Sequence, residues 1–175
     1  ALSPVPKEPI VLMTGYMRDP ANEDGVEWFV NHVWPQLIAQ HSDIKFYIVG
    51  ADPGPRIRKV VGNDPRIVVT GQVEDLSPYR NCARMLVSPV RLGSGVRTKV
   101  LEAMAFGLPV VSTSLGVAGI DAQTGVNCLI ADTPDLFAQS VEWLLTDRAL
   151  RVSMARKALA LVDRKYDLET ELSRF

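Results

Sequence analysis

Short, unbroken apolar runs alternate along this chain with longer stretches in which apolar residues recur every three or four positions. The short runs read as strands buried on both faces, the longer stretches as helices with one apolar stripe. The runs are Ile10–Gly15, Ile44–Val49, Arg66–Gly71, Met85–Ser88, Pro109–Thr113 and Asn127–Ala131. Between the first two, Val26, Phe29, Val30, Val33, Trp34, Leu37 and Ile38 make one helical stripe. Asn22 is its expected N-cap, with Glu23 and Asp24 in the first turn. Pro35 falls inside the stripe and predicts a kink or a break. A basic helix, Arg56–Gly62, follows the turn ADPGP and reads as solvated, and Asp75 starts another helix that runs through Cys82. Asp132-Thr133-Pro134-Asp135 opens a helix carrying Leu136, Phe137, Val141, Leu144 and Leu145. A last helix spans Arg148–Tyr166.

This alternation predicts an α/β, Rossmann-like, doubly wound and mostly parallel sheet of about six strands, with helices on both faces. Ligands of such sheets bind beyond the carboxyl ends of the strands. The loops after Gly15, Gly71 and Ser88, and the loop 114–125, belong to that edge. Residues 1–9, with three prolines and no periodicity, read as a linker from a preceding domain, and 10–175 as one domain.

The stretch from Arg91 to Thr113, RLGSGVRTKVLEAMAFGLPVVST, concentrates the candidate chemistry. A glycine-broken loop (Gly93, Ser94, Gly95) enters a helix whose stripe is Val100, Leu101, Met104 and Ala105; Gly107 ends it, and Pro109 opens a strand. A helix N-terminus presents unpaired N–H groups and the positive end of its dipole, and glycines let an anion approach them. Arg91, Arg97 and Lys99 surround that start, with no carboxylate before Glu102. Cations there work against the helix dipole, which makes sense if a bound anion supplies the opposite charge. The plain alternative is a surface loop with a solvated Lys99–Glu102 pair.

Composition narrows the classes. The chain has 175 residues and a formal net charge of −1, which carries no electrostatic footprint for nucleic acid. No apolar run approaches the roughly 20 residues of a membrane span. Cys82 and Cys128 are isolated and read as buried thiols of a reducing compartment, so the expected location is cytoplasmic. His32 and His41 stand away from any cysteine or acid cluster, so no metal site is expected. The loop after the first strand holds one glycine, Gly15, and leads into an acidic helix start, which argues against a nicotinamide-binding fingerprint.

Residues 99–113, Lys-Val-Leu-Glu-Ala-Met-Ala-Phe-Gly-Leu-Pro-Val-Val-Ser-Thr, resemble the donor-site signature of retaining GT-B-fold glycosyltransferases of family four, roughly E-G-x-G-x-x-x-x-E-A-M-A-x-G-x-P-V-V. The resemblance extends from about Ile10 to Tyr166. It implies the C-terminal, donor-binding half of a two-domain enzyme that moves a sugar from a nucleotide-diphosphate sugar to a hydroxyl with retention, as in polysaccharide biosynthesis. Glu102 matches the second motif glutamate, which binds the ribose. The base falls to Gly71, Gln72 and Val73, and the phosphates to Gly93, Ser94, Gly95 and Val96, with Gly15 and Arg18 at the same edge. Ser94 stands where the first glutamate belongs. Tyr16 and Asp24 stand where the family has an Arg and a Lys. The expectation is that Arg91 and Lys99 take over as the catalytic cations. No cofactor is implied beyond the donor substrate. The acceptor, and any peripheral membrane association, fall to a missing N-terminal half. A nucleotide-sugar epimerase of this architecture, or a non-catalytic nucleotide-binding module, are the alternatives.

Overall fold

The computed structural model describes residues 8–94 and 98–166. Six parallel strands form one sheet: β1 (Ile10–Thr14), β2 (Lys45–Val49), β3 (Ile67–Gly71), β4 (Met85–Ser88), β5 (Val110–Ser112) and β6 (Leu129–Ile130). Their order is β3-β2-β1-β4-β5-β6. Strand order therefore reverses between β1 and β4, and the crevice at that reversal is where open α/β sheets take ligands. The expected fold class holds.

Because the sheet is covered on both faces, successive residues of a strand enter different cores. Val11, Met13, Phe46, Ile48, Met85, Val87 and Val111 point into one; Ile10, Leu12, Val49, Leu86 and Val110 point into the other. The first core is closed by α1 (Pro20–Trp28), α2 (Trp34–Ile38), α3 (Pro55–Val61) and α6 (Pro134–Thr146). The second takes α5 (Thr98–Ala105) and α7 (Arg148–Lys165), with the short α4 (Ser77–Cys82) packed beside them. No helix among the described residues is long and apolar enough to cross a membrane.

Three local outcomes differ from expectation. The N-cap of the first helix is Asp19, whose side chain accepts from the Ala21 N–H at 2.7 Å, rather than Asn22. Pro20 occupies the first helical position, where its missing N–H costs nothing, so Asp-Pro starts the helix three residues early. At Pro35 the chain does not break. A π-helical turn, Phe29–Val33, intervenes, and Pro35 falls in the first turn of α2, where no N–H is needed. Cys128 is buried and its thiol is pushed up to about 11 by desolvation, but Cys82 is only half-buried.

Gly107 ends α5 as expected, with φ +75°. Its N–H reaches Met104 O at 3.0 Å and the Leu108 N–H reaches Ala103 O at 2.9 Å, the paired bonds of a Schellman stop. At the carboxyl edge, the ends of β1 and β2 touch. The Gly15 N–H donates to Val49 O at 3.2 Å, and a Cβ built on Gly50 would lie 1.7 Å from Gly15 O. That contact is backbone against backbone, so no side chain can give way. Gly50→Ala should cost about 1–3 kcal/mol or more, as overpacking does. Urea unfolding checks this; a variant within about 0.5 kcal/mol of wild type would mean that the two strand ends part freely.

Candidate functional site

The site is assembled where β1 and β4 diverge. Gly25 of α1 lies against the turn after β4: a Cβ there would fall 2.8 Å from Pro89 O. This close approach brings the first turn of α1 beside Arg91 and the start of α5.

Arg91 is exposed, and its guanidinium forms two hydrogen bonds to Asp24 of α1, at 2.9 and 3.0 Å. It also lies 5.7 Å from the centre of the Trp28 ring. The residue that stands in place of the resemblance's lysine is thus the carboxylate that holds Arg91. Lys99 is half-buried in the first turn of α5, and its Nζ donates to Asn22 Oδ1 at 2.6 Å. Asn22, released from capping, donates through Nδ2 to Tyr16 O at 2.8 Å.

Glu102 does not pair with Lys99. Its Oε2 accepts from Arg80 Nη2 of α4 at 2.5 Å, and Arg80 also lies 5.7 Å from the centre of the Phe106 ring. The Arg80 side chain is 14% exposed and that of Glu102 31%, so this pair is better shielded from water than an ordinary surface ion pair. Arg80 carried no sequence signal; only the packing of α4 against α5 finds it.

Arg18 turns to Asp52 instead of toward α5. Its Nε and Nη2 each donate to Asp52 at 3.1 Å, and Tyr16 Oη donates to the same carboxylate at 3.3 Å. Arg18 holds the exposed Asp52 carboxyl below its ordinary value. Asp52 sits at φ +54°, in the left-handed region that aspartate tolerates. These contacts tie the loop after β1 to the loop after β2.

Gly71 ends β3 at φ +75°, followed by exposed Gln72 and by Val73, which is packed partly against the second core. Gly93, at φ +85°, and Ser94 are exposed. The expected phosphate residues Gly95 and Val96, and Arg97, lie outside the described residues. The loop after β5 is drawn onto the sheet edge: the Ser114 N–H donates to Asp132 Oδ1 at 2.8 Å, and the Asp121 N–H to Tyr166 Oη at 2.9 Å.

The structure therefore gathers Arg91, Lys99 and Gly15 around the first turn of α1. Glu102 stands one turn further along α5 from Lys99. Arg18 and the Gly71–Val73 segment lie on the side of β2 and β3. Arg80 and Asp52 are contributors that the reading of the sequence did not single out; Asn22 was read only as a helix cap, and Asp24 only as a first-turn acid standing where the resemblance has a Lys. The positions of Asn22 and Asp24 in an acidic first turn, facing two cations further along the chain, were the available signal.

The order of the sheet and the crevice at its reversal define a Rossmann-like α/β fold. The chain belongs to the glycosyl transferases group 1 family, whose sequence pattern it matches over residues 8–147. It is 31% identical over 169 residues to alpha-D-kanosaminyltransferase of Streptomyces kanamyceticus, covering 91% of this chain and 42% of that protein. In structure it superposes on a mutant of S. aureus TarM crystallised with UDP among its ligands, with TM-score 0.80 and 19% identity, over 99% of this chain and 36% of that one. It also superposes on the C-terminal domain of LpcC, a glycosyl transferase group 1 family protein of Francisella tularensis, with TM-score 0.71 and 19% identity, over 93% of this chain and 88% of that one. The chain spans 42% of the length of the curated relatives that it matches.

Proposed function

We propose that this chain is the donor-binding half of a glycosyltransferase that moves a sugar from a nucleotide-diphosphate sugar to a hydroxyl acceptor with retention of configuration. The observation that carries the reading is the pairing at the crevice: Lys99 held at the start of α5, and Glu102 held one turn later by Arg80. A carboxylate accepts through about four lone-pair sites, more than one guanidinium contact uses, so Glu102 can also accept from the two ribose hydroxyls. The ribose then lies over α5, with its base toward Gly71, Gln72 and Val73. The diphosphate lies between Lys99 and the loop that contains Gly93, Ser94, Gly95 and Val96. Gly15 borders the same space, and Arg18 stands at its rim.

The reaction breaks the bond between the anomeric carbon and the phosphate oxygen and forms one from that carbon to the acceptor oxygen. The acceptor's hydroxyl proton is released. Negative charge grows on the departing diphosphate, so a cation fixed beside it lowers the barrier. Lys99, the N–H groups at the start of α5, and Arg91 to the extent that Asp24 leaves its charge unbalanced supply that stabilisation from this chain. The acceptor falls to a further half of the protein.

The direct test is to incubate the full-length protein with UDP-, GDP- and ADP-sugars and an acceptor panel. Release of nucleoside diphosphate coupled to a new glycoside with unchanged anomeric configuration supports the reading. Epimerised donor, or binding without turnover, would replace it. This chain alone should bind nucleotide and transfer nothing. Glu102→Ala should weaken nucleotide binding by about 1–3 kcal/mol, the loss expected when hydroxyls bound to a charged acceptor are left unpaired. Calorimetric affinities for UDP and GDP equal to wild type would remove Glu102 from the site.

A further inference from the structure

Asn22 is a buried polar residue, 8% exposed, whose side-chain amide joins three elements. Its backbone belongs to α1. Its Nδ2 donates to the Tyr16 carbonyl in the loop after β1, at 2.8 Å, and its Oδ1 accepts from Lys99 Nζ of α5, at 2.6 Å. The loop is pressed against the amide: a Cβ on Gly15 would fall 2.8 Å from Nδ2. Glycine at that position is what lets the amide and the loop meet.

The donor side and the acceptor side of the amide are not interchangeable here. Turning the amide over would set its NH₂ against an ammonium and its oxygen against a carbonyl. The Tyr16 carbonyl therefore fixes which way Oδ1 points, and Oδ1 fixes the ammonium. The acceptor is also neutral. Two residues further along the same helix, Asp24 holds Arg91 with a full negative charge, which offsets that cation. Asn22 holds Lys99 without offsetting it. A lysine ammonium has three donors, and Asn22 takes one of them.

We infer that Asn22 is a positioning residue, which orients the Lys99 ammonium toward the donor diphosphate through an acceptor that carries no charge of its own. This inference rests on the proposed transferase reading and assigns the geometry of its cation. Because the cation acts on charge that develops during bond breaking, misplacing it lowers kcat more than it raises KM. A neutral and an anionic partner at position 22 also act differently on the same ammonium.

The experiment uses the full-length protein with whichever sugar nucleotide it turns over. Asn22→Ala should lower kcat by about tenfold or more with little change in KM, because misplaced groups lose rate steeply. Asn22→Asp keeps the acceptor oxygens but adds a negative charge, and should lower kcat further while leaving the protein folded by thermal melting. In a double-mutant cycle, Asn22→Ala should add little to Lys99→Ala, because its effect passes through that ammonium. A role confined to stability would instead lower the melting temperature, leave kcat per folded molecule unchanged and add fully in the Lys99→Ala background; any of these last two results overturns the inference. Absence of transfer or donor binding by the wild-type protein would overturn the transferase reading itself. Transfer by wild type with an unchanged Asn22→Ala kcat would overturn only the role of Asn22.

Discussion

Lys99→Ala in the full-length protein should lower turnover by about 10²–10³-fold, the cost of removing one preorganised group that stabilises transition-state charge. The motivation is geometric. Lys99 is in the first turn of α5, at the carboxyl edge where the strand order reverses, and its ammonium is held by neutral Asn22 at 2.6 Å. Arg91 is the other proposed cation, but its guanidinium already makes two hydrogen bonds to Asp24. Arg91→Ala should therefore act in the same direction with a smaller effect. Arg58 donates to Pro53 O at 3.2 Å on an exposed helix away from the crevice, so Arg58→Ala should leave turnover within twofold of wild type, about 0.4 kcal/mol by the usual conversion. Arg56, expected to be solvated, pairs with Glu27 on the surface, a contact worth about 0–1 kcal/mol of stability and nothing to the chemistry. Steady-state rates at saturating donor check all of these. If Lys99→Ala turned over like wild type, the diphosphate would be held elsewhere.

The second large effect belongs to the fold. Phe29→Ala should destabilise the chain by about 3–5 kcal/mol, the range for removing a fully buried aromatic ring. Phe29 is wholly buried at the start of the π-helical turn. Its ring centre lies 4.6 Å from that of Phe46 in β2, 5.9 Å from that of Phe137 in α6 and 6.4 Å from that of Trp34 in α2. One side chain thus joins the sheet to two helices, and the space it leaves cannot close without moving all three. Urea unfolding followed by fluorescence of Trp28 and Trp34 measures the change. A loss below about 1 kcal/mol would show that the neighbours collapse into the gap. The π turn follows from the same packing. It delivers Phe29, Trp34 and Leu37 to one face while moving Pro35 to a helix start, where a proline costs little.

Much of this was legible along the chain. Six apolar runs marked six strands because a parallel sheet buried on both faces needs no polar alternation. Gly107 marked the end of α5 because a left-handed stop there strongly favours glycine. Lys99 stood out as a cation at a helix start after a glycine loop, and Glu102 through its match to the second motif glutamate. The N-cap was misplaced because Asn22 and Asp19 are both good caps, and Pro20 decided between them. The partners of the charged groups were not legible. Lys99 and Glu102 at helical spacing look like a pair, yet Lys99 reaches across to Asn22 and Glu102 to Arg80.

By itself, then, the sequence determined the strand count and the parallel sheet, and it pointed to the stretch in which the chemistry is proposed. These follow from local rules: which residues suit a buried strand, a helix stripe or a left-handed turn. Tertiary structure alone decided which charges meet. The contacts Lys99–Asn22, Arg91–Asp24 and Arg80–Glu102 join residues 77, 67 and 22 positions apart. Such meetings depend on how closely α1 approaches the turn after β4, and on how α4 sits against α5. That closeness is set by packing, here by the Gly25 contact with Pro89 and the Gly15 contact with Asn22. Coulomb attraction and hydrogen bonding act over a few ångströms, so no pattern along the chain specifies a pair until the packing has brought it within reach.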